Sequence, residues 1–203
     1  MKTLTEIPFS LACERNQEPI LSVILEYLSD SETALEIGSG TAQHAVHFAL
    51  TFPQLLWQTS DQAGCLDGIR LQLDHAKLKN VLYPLELNVN QDQWLQDQKS
   101  FDIVYSANTL HIMSDDDVVA FFQGLPQVSK AGSYLIVYGP FKYQGRFTSV
   151  SNAEFDLNLR VRGCGSSIKE FDDVNALAWK HGFELLKDHS MPANNQCIIW
   201  QRS

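Results

Sequence analysis

The run Leu35-Glu36-Ile37-Gly38-Ser39-Gly40-Thr41-Ala42-Gln43 governs how the rest of the chain is read. Thr33 to Ile37 is a short apolar segment of strand character, cut off by Gly38-Ser39-Gly40. Helical spacing resumes at Ala45, Val46, Ala49 and Leu50 and stops before Pro53. A strand turning through glycines into a helix lets the backbone approach a ligand closely, and the free N–H groups of the helix start face the ligand's negative end. A dinucleotide fingerprint wants a third glycine where Gln43 stands, and a phosphate-binding loop wants Gly-Lys-Ser/Thr, with a lysine this stretch lacks. What remains is an acid, Glu36, two places before Gly-x-Gly. A carboxylate there repels a pyrophosphate and welcomes an ammonium group. The competing reading is a tight strand-to-helix turn that holds nothing.

Outward from this run, strand-like and helix-like segments alternate. Ile20, Leu21, Ile24, Leu25 and Leu28 fall at helical period between Glu18 and Leu28. Leu55 to Asp61 is a second strand, Leu66 to Leu78 a helix, Val81 to Val89 a third strand and Phe101 to Ala107 a fourth. A helix from Asp115 to about Lys130 opens on three aspartates, which suit the positive end of its dipole. Ser133 to Tyr138 is a fifth strand, Gly139 to Ser151 a loop by composition, and Phe171 to His181 a helix ending at Gly182. Phe183 to Met191 and Gln196 to Gln201 are closing strands joined by Pro192-Ala193-Asn194-Asn195, so they pair antiparallel. The predicted fold is α/β: a Rossmann-like, doubly wound, mostly parallel seven-stranded sheet with an antiparallel C-terminal hairpin, in one domain over residues 1–203.

Composition narrows the function classes. The 203 residues are 44% hydrophobic and 19% charged, an ordinary globular balance. Fifteen basic against 24 acidic side chains give a net charge of −9, and Lys77 with Lys79, and Arg160 with Arg162, are isolated basic pairs, so no nucleic acid partner is expected. Cys13, Cys65, Cys164 and Cys197 share no metal-ligand spacing, and Met-Lys-Thr-Leu-Thr-Glu at the start lacks the apolar core of a signal peptide. Apolar stretches such as Tyr134 to Tyr138 fall far short of the ~20 residues that span a bilayer. A cytoplasmic chain with reduced thiols, no membrane association and no metal is expected. His44 and His47, one helical turn apart without a third ligand, read as helix-surface histidines.

The ligand that offers an ammonium without a phosphate is S-adenosylmethionine. Asp61, 61 − 40 = 21 residues beyond the second glycine and at a strand end, suits the ribose hydroxyls, or else caps a turn. Together Glu36-Ile37-Gly38-Ser39-Gly40, Asp61, the strand order and the closing hairpin resemble class I S-adenosylmethionine-dependent methyltransferases over nearly the whole chain. Ala12 to Asn16, Glu36 to Phe48, Trp57 to Asp61, Tyr138 to Phe141, Thr148 to Asn152 with Phe155-Asp156, and Met191 to Asn195 are similar to a family of methyltransferase-like proteins described as a domain of unknown function.

The resemblance implies a cofactor site of Glu36, Gly38, Ser39 and Gly40 around the methionine part, Asp61 on the ribose, Asn88 and Val89 near the adenine, and Asn108 beside the methionine part or the reaction centre. Ala42 and Asn88 stand where a glycine and an aspartate are common, and Gly163 to Ile168 departs from the tryptophan-containing version of that segment. The fourth strand ends in Ala107-Asn108-Thr109-Leu110 without the proline tetrad of nucleic acid amino-methylating enzymes.

A small-molecule acceptor is the expected partner. His111, close after Asn108, is the candidate base, or a packed histidine. Arg15 and Asn16 are expected to clamp an anionic acceptor, or to cap the first helix with Glu14. Tyr138, Phe141, Tyr143 and Phe147 around Gly139, Pro140 and Gly145 suggest an aromatic lid. Asn152, Asp156, Asn194 and Asn195 read as turn formers by themselves, and the resemblance adds Asn152, Asn194 and Asn195 to the substrate contacts. The rival readings are a non-catalytic cofactor-binding or protein-interaction module on the same fold, and an NAD-dependent oxidoreductase, which Gln43 and Glu36 disfavour.

Overall fold

A computed structural model describes residues 6–95 and 100–203. The chain runs α1 (Leu11–Ser29), β1 (Thr33–Ile37), α2 (Gln43–Thr51), β2 (Leu56–Asp61), α3 (Leu66–Ala76), β3 (Val81–Glu86), β4 (Phe101–Ala107), α4 (Asp115–Val128) and β5 (Ser129–Gly139). It continues with β6 (Phe141–Tyr143), β7 (Arg146–Phe147), α5 (Val150–Arg162), β8 (Lys169–Glu170), α6 (Phe171–Lys180), β9 (Phe183–Met191) and β10 (Asn195–Arg202). Seven strands form one sheet in the order β3-β2-β1-β4-β5-β10-β9. β1 to β5 pair parallel, and β10 alone runs against both its neighbours, as the short turn from Pro192 to Asn195 requires.

The central strands are buried on both faces, as parallel strands between two helix layers must be. Successive residues therefore serve opposite cores. Ala34, Trp57, Ile103, Tyr105, Ile136 and Ile199 pack under α1, α2 and α3. Leu35, Val104, Leu135, Val137, Ile198 and Trp200 pack against α4 and α6. Pro84 sits in β3, an edge strand, where its missing N–H costs the ladder nothing.

Two stretches depart from expectation. Residues 150–162, where the loop was expected to run to Ser151 and Asn152 and Asp156 to form turns, are helix α5: Ser149 caps it by accepting the Asn152 N–H at 3.1 Å. Its inward face includes Asn152, Asp156 and Leu159, while the exposed Val150, Leu157 and Val161 blur the apolar period that would have announced it. Residues 139–149, read as a loop, carry β6 and β7, which join β8 in a small second sheet. Smaller shifts concern ends: β3 stops at Glu86, so Asn88 and Val89 lie beyond it, and β5 starts already at Ser129. No helix among the described residues is long and apolar enough to cross a membrane.

Candidate functional site

β1 is followed in space by β2 on one side and β4 on the other, so the chain crosses over at the β1/β4 seam, the place where open α/β sheets bind ligands at their carboxyl ends. A cavity of about 560 Å³ opens there. Its floor is Glu36 with Gly38 to Thr41 from the β1–α2 turn, Asp61 at the end of β2 with Cys65 beyond it, and Ala107 at the end of β4 with Asn108 and Thr109 beyond it. Ser10, Ala12 and Cys13 at the start of α1 roof it, and His111, Ile112, Pro140, Asn152, Phe155, Ala193 and Asn195 close the far side.

The β1–α2 turn is held by the strand beside it. Gly38 and Ser39 donate their N–H groups to the Ser60 carbonyl at 3.0 and 2.9 Å, and the Ser60 hydroxyl donates to the Glu36 carbonyl at 2.6 Å. Gly38 has φ +77°, and a Cβ on it would stand 2.4 Å from Thr109 Cγ2, so only glycine fits. Gly40 has φ +55° and faces open space, with no atom within 4 Å of where its Cβ would be. Its N–H donates to Asp61 Oδ2 at 2.8 Å, and the Gln62 N–H donates to Oδ1 at 2.7 Å, which fixes that carboxylate at the cavity edge.

Glu36 is buried and accepts a hydrogen bond from Trp57 Nε1 at 3.1 Å. Burial pushes its pKa up from 4.5 to about 7, with hydrogen bonds from Trp57 and Ser39 opposing and the Asp61 charge adding to the rise. Burial and His47 lower His44 to about 4; burial and Lys169 lower His111 to about 4. Both imidazoles are therefore neutral at pH 7. His111 meets Phe155 edge-on at 5.3 Å between ring centroids.

Of the sequence candidates, the cavity wall includes Glu36, Gly38, Ser39, Gly40, Asp61, Asn108, His111, Asn152 and Asn195. Asn108 is placed by a left-handed backbone (φ 58°) that asparagine tolerates well, and its N–H donates to the Tyr138 carbonyl at 2.8 Å. Asn16 and Tyr138 sit one layer behind. His44 Nε2 lies 2.7 Å from Asn16 Oδ1, and burial raises the pKa of the Tyr138 hydroxyl while hydrogen bonding to Asn16 and Asn195 opposes it. Asn194, at φ 58°, contributes its carbonyl, which accepts from Asn152 Nδ2 at 2.9 Å.

Four candidates lie elsewhere. Arg15 is exposed, because Asn16, Ile20 and Ile24 define the inward face of α1 and Arg15 is a step off it. Phe141 is buried in the core under α4 and α6 at the start of β6. Asn88 turns its side chain to the Asn90 N–H at 3.0 Å, and Val89 joins the same core, its carbonyl accepting from Trp94 Nε1 at 3.3 Å. The aromatic lid is likewise replaced by packing: Tyr143 stacks on Phe171 at 5.1 Å and Lys142 Nζ lies 5.7 Å over Phe147.

His44, read as a surface histidine, is 4% exposed and lines the cavity. Other wall residues that sequence reasoning passed over, Cys13, Cys65, Thr109 and Phe155 among them, are ordinary residues whose role comes from position alone. Among the described residues no group of three or more His, Cys, Asp or Glu is placed to hold a metal ion.

A second cavity of about 580 Å³ lies near the opposite ends of β1 and β2 and is walled by Leu56, Leu82, Leu85, Trp94 and Leu95 with Gln58, Gln91 and Gln93. Among the described residues it has no glycine turn and gathers no set of titratable groups, so the first cavity is the candidate site.

The fold recurs in solved structures. An O-methyltransferase family protein from Burkholderia thailandensis superposes with TM-score 0.81 at 19% identity, covering 95% of this chain and 57% of that one. Human N-acetylserotonin methyltransferase in complex with SAM gives 0.80 at 14% identity, covering 95% and 53%. The protein PigF with SAH gives 0.79 at 14% identity, covering 93% and 56%. The chain thus spans little more than half the length of these structures. A family model described as "Protein of unknown function (DUF938)" matches residues 7–202, and the chain belongs to that family.

Proposed function

We propose that the chain is an S-adenosylmethionine-dependent methyltransferase acting on a small acceptor. The observation that carries this reading is a buried carboxylate, Glu36, in one cavity with the Gly38-Ser39-Gly40 turn and with Asp61. A ligand with an ammonium group answers the cost of burying Glu36, and the ribose hydroxyls find an ordered carboxylate in Asp61. The open space before Gly40 leaves the turn free to be approached, and no lysine stands where a pyrophosphate would need one. These residues fit the cofactor, which when bound supplies a methyl group already activated on a sulfonium.

What remains for the chain is to bind, orient and exclude water. Gly38 to Gly40 with Glu36 hold the methionine end, Asp61 the ribose, and Asn108 the region beside the reacting centre. His111, neutral and in the same wall, holds a hydrogen bond from the acceptor at a ring nitrogen and takes the proton that a hydroxyl acceptor gives up. The roof from α1 and the wall from α5 favour turnover over a cofactor-holding module without an acceptor space. The titratable anchor at Glu36 disfavours NAD.

Calorimetric titration with S-adenosylmethionine, S-adenosylhomocysteine and NADH tests the reading. One-site binding of the first two alone is the expected result. Tighter binding of NADH, or no binding to folded protein, refutes it.

A further inference from the structure

The far side of the cavity has a charge pattern that bears on what can enter it. The charged side chains in the wall, among the described residues, are Glu36 and Asp61, both acidic. The two histidines there are held neutral by burial. The cations nearby are engaged elsewhere. Lys169 Nζ, on a side chain 6% exposed, lies 2.7 Å from Asp115 Oδ1 and 3.3 Å from Ser167 Oγ. Arg160 Nε lies 2.6 Å from Asp156 Oδ2, whose other oxygen accepts the Ile168 N–H at 2.7 Å. Arg15 is turned outward.

A carboxylate or phosphate entering this wall would lose its water and, among the described residues, gain no cationic side chain in return. Of the proposed cofactor's two positive charges, the ammonium is matched by Glu36 and the sulfonium is balanced by the cofactor's own carboxylate. Polar groups suited to neutral partners are present instead: His111, Asn152 and Asn195, beside the ring of Phe155. Asn152 is well positioned, since its Nδ2 is bonded to the Asn194 carbonyl and to Thr148 Oγ1, both at 2.9 Å. This orients its amide oxygen away from those partners as an acceptor. Phe155 sits half-buried and offers a flat apolar surface.

Resting on the methyltransferase reading above, we propose that the acceptor site takes an uncharged, hydroxyl-bearing compound with a planar face, and rejects acids. The hydroxyl donates to His111, the ring lies against Phe155, and the asparagines meet a polar substituent. The anion clamp expected from Arg15 is replaced by its opposite.

The test uses the whole chain saturated with S-adenosylhomocysteine and three probes that share one ring: 4-methylphenol, neutral; 4-hydroxyphenylacetate, anionic; and tyramine, cationic. Ligand-observed NMR at pH 7 reads their dissociation constants. The neutral phenol is expected to bind at least about tenfold more tightly than the acid, the factor that roughly one unscreened like-charge contact is worth. Cys13→Lys, which puts a cation in the roof, is expected to narrow that ratio. Phe155→Ala is expected to weaken all three probes while leaving S-adenosylhomocysteine binding unchanged. Equal or tighter binding of the acid by the natural chain overturns the charge argument. Failure of all three probes with the nucleoside bound overturns the hydroxyl-bearing planar acceptor. Failure of S-adenosylhomocysteine itself overturns the cofactor reading instead.

Discussion

Cofactor binding is expected to release a proton from Glu36. In the free protein this carboxyl is held at about 7 by burial. A bound ammonium favours the carboxylate, so the form competent to bind is the ionised one, and affinity is reduced by its fractional population. With a pKa of about 7 that fraction is about 1/11 at pH 6 and about 10/11 at pH 8, a tenfold span in affinity and roughly 1.4 kcal/mol. At pH 6 about 0.9 proton leaves on binding; at pH 8 about 0.1. Isothermal titration with S-adenosylhomocysteine in phosphate and in bis-Tris at pH 6 reads the proton directly as a buffer-dependent enthalpy.

The same group leaves a mark on stability. Its folded pKa lies above its unfolded value of about 4.5, so its stabilising share is complete below about 4.5 and is lost as pH rises through about 7. The cost at pH 8 is on the order of 3 kcal/mol, two and a half pKa units at about 1.4 kcal/mol each. Glu36→Gln is therefore expected to raise stability to urea at pH 8, to change it by less than about 1 kcal/mol near pH 5, and to weaken nucleoside binding with its pH dependence abolished. A binding enthalpy indifferent to buffer, with affinity flat from pH 6 to 8, would refute the reasoning. So would a Glu36→Gln chain less stable at pH 8 than the natural one.

Three further outcomes are expected. Gly38→Ala meets Thr109 Cγ2 at 2.4 Å and a left-handed backbone, and should cost roughly 2–4 kcal/mol by urea unfolding, whereas Gly40→Ala, in open space, should cost about 1 kcal/mol and act mainly on nucleoside affinity. Cys13 and Cys65 line the cavity and Cys164 does not, so saturating S-adenosylhomocysteine should slow iodoacetamide labelling of the first two and leave Cys164 unchanged by mass spectrometry. His111→Asn should lower methyl transfer to a hydroxyl acceptor by roughly 10²-fold at pH 7 with nucleoside affinity unaltered, and a rate unchanged by it would leave positioning alone as the mechanism.

The sheet, and the gathering of Glu36, Gly38, Gly40 and Asp61 at one cavity, were legible because each rests on local chemistry, whereas Asn88 and Val89 fell outside it. β1 was readable to the residue from Thr33 to Ile37, since an apolar run ended by glycines has few other conformations. Glu36, Gly38, Gly40 and Asp61 could be placed because a strand end fixes where its next residues go. The acceptor half was less legible. α5 was missed because its inward polar residues, Asn152 and Asp156, take partners beyond the helix, the Asn194 carbonyl and the Ile168 N–H, besides their near neighbours Thr148 and Arg160. Arg15 and Phe141 were misplaced for the same kind of reason. The rotation of α1 and the pairing of β6 with β8 are tertiary facts, and residue type does not carry them.

Position 43 shows how one residue serves both halves. As a sequence feature, Gln43 merely denied the dinucleotide pattern its third glycine. In the fold its Oε1 accepts the Ser10 N–H at 2.6 Å and the Thr41 hydroxyl at 2.9 Å, while Nε2 donates to the Ser10 carbonyl at 3.4 Å. Ser10 caps α1, and Ser10, Ala12 and Cys13 roof the cavity. The next residue, His44, adds the bond to Asn16 at 2.7 Å and faces the Tyr105 hydroxyl across 3.3 Å with its other nitrogen. Adjacent side chains at the start of α2 thus secure two successive turns of α1 over the floor that α2 itself begins. A glycine at 43 would keep the floor and release the roof, so the residue that argues against a dinucleotide is also the one that ties α1 over the cavity.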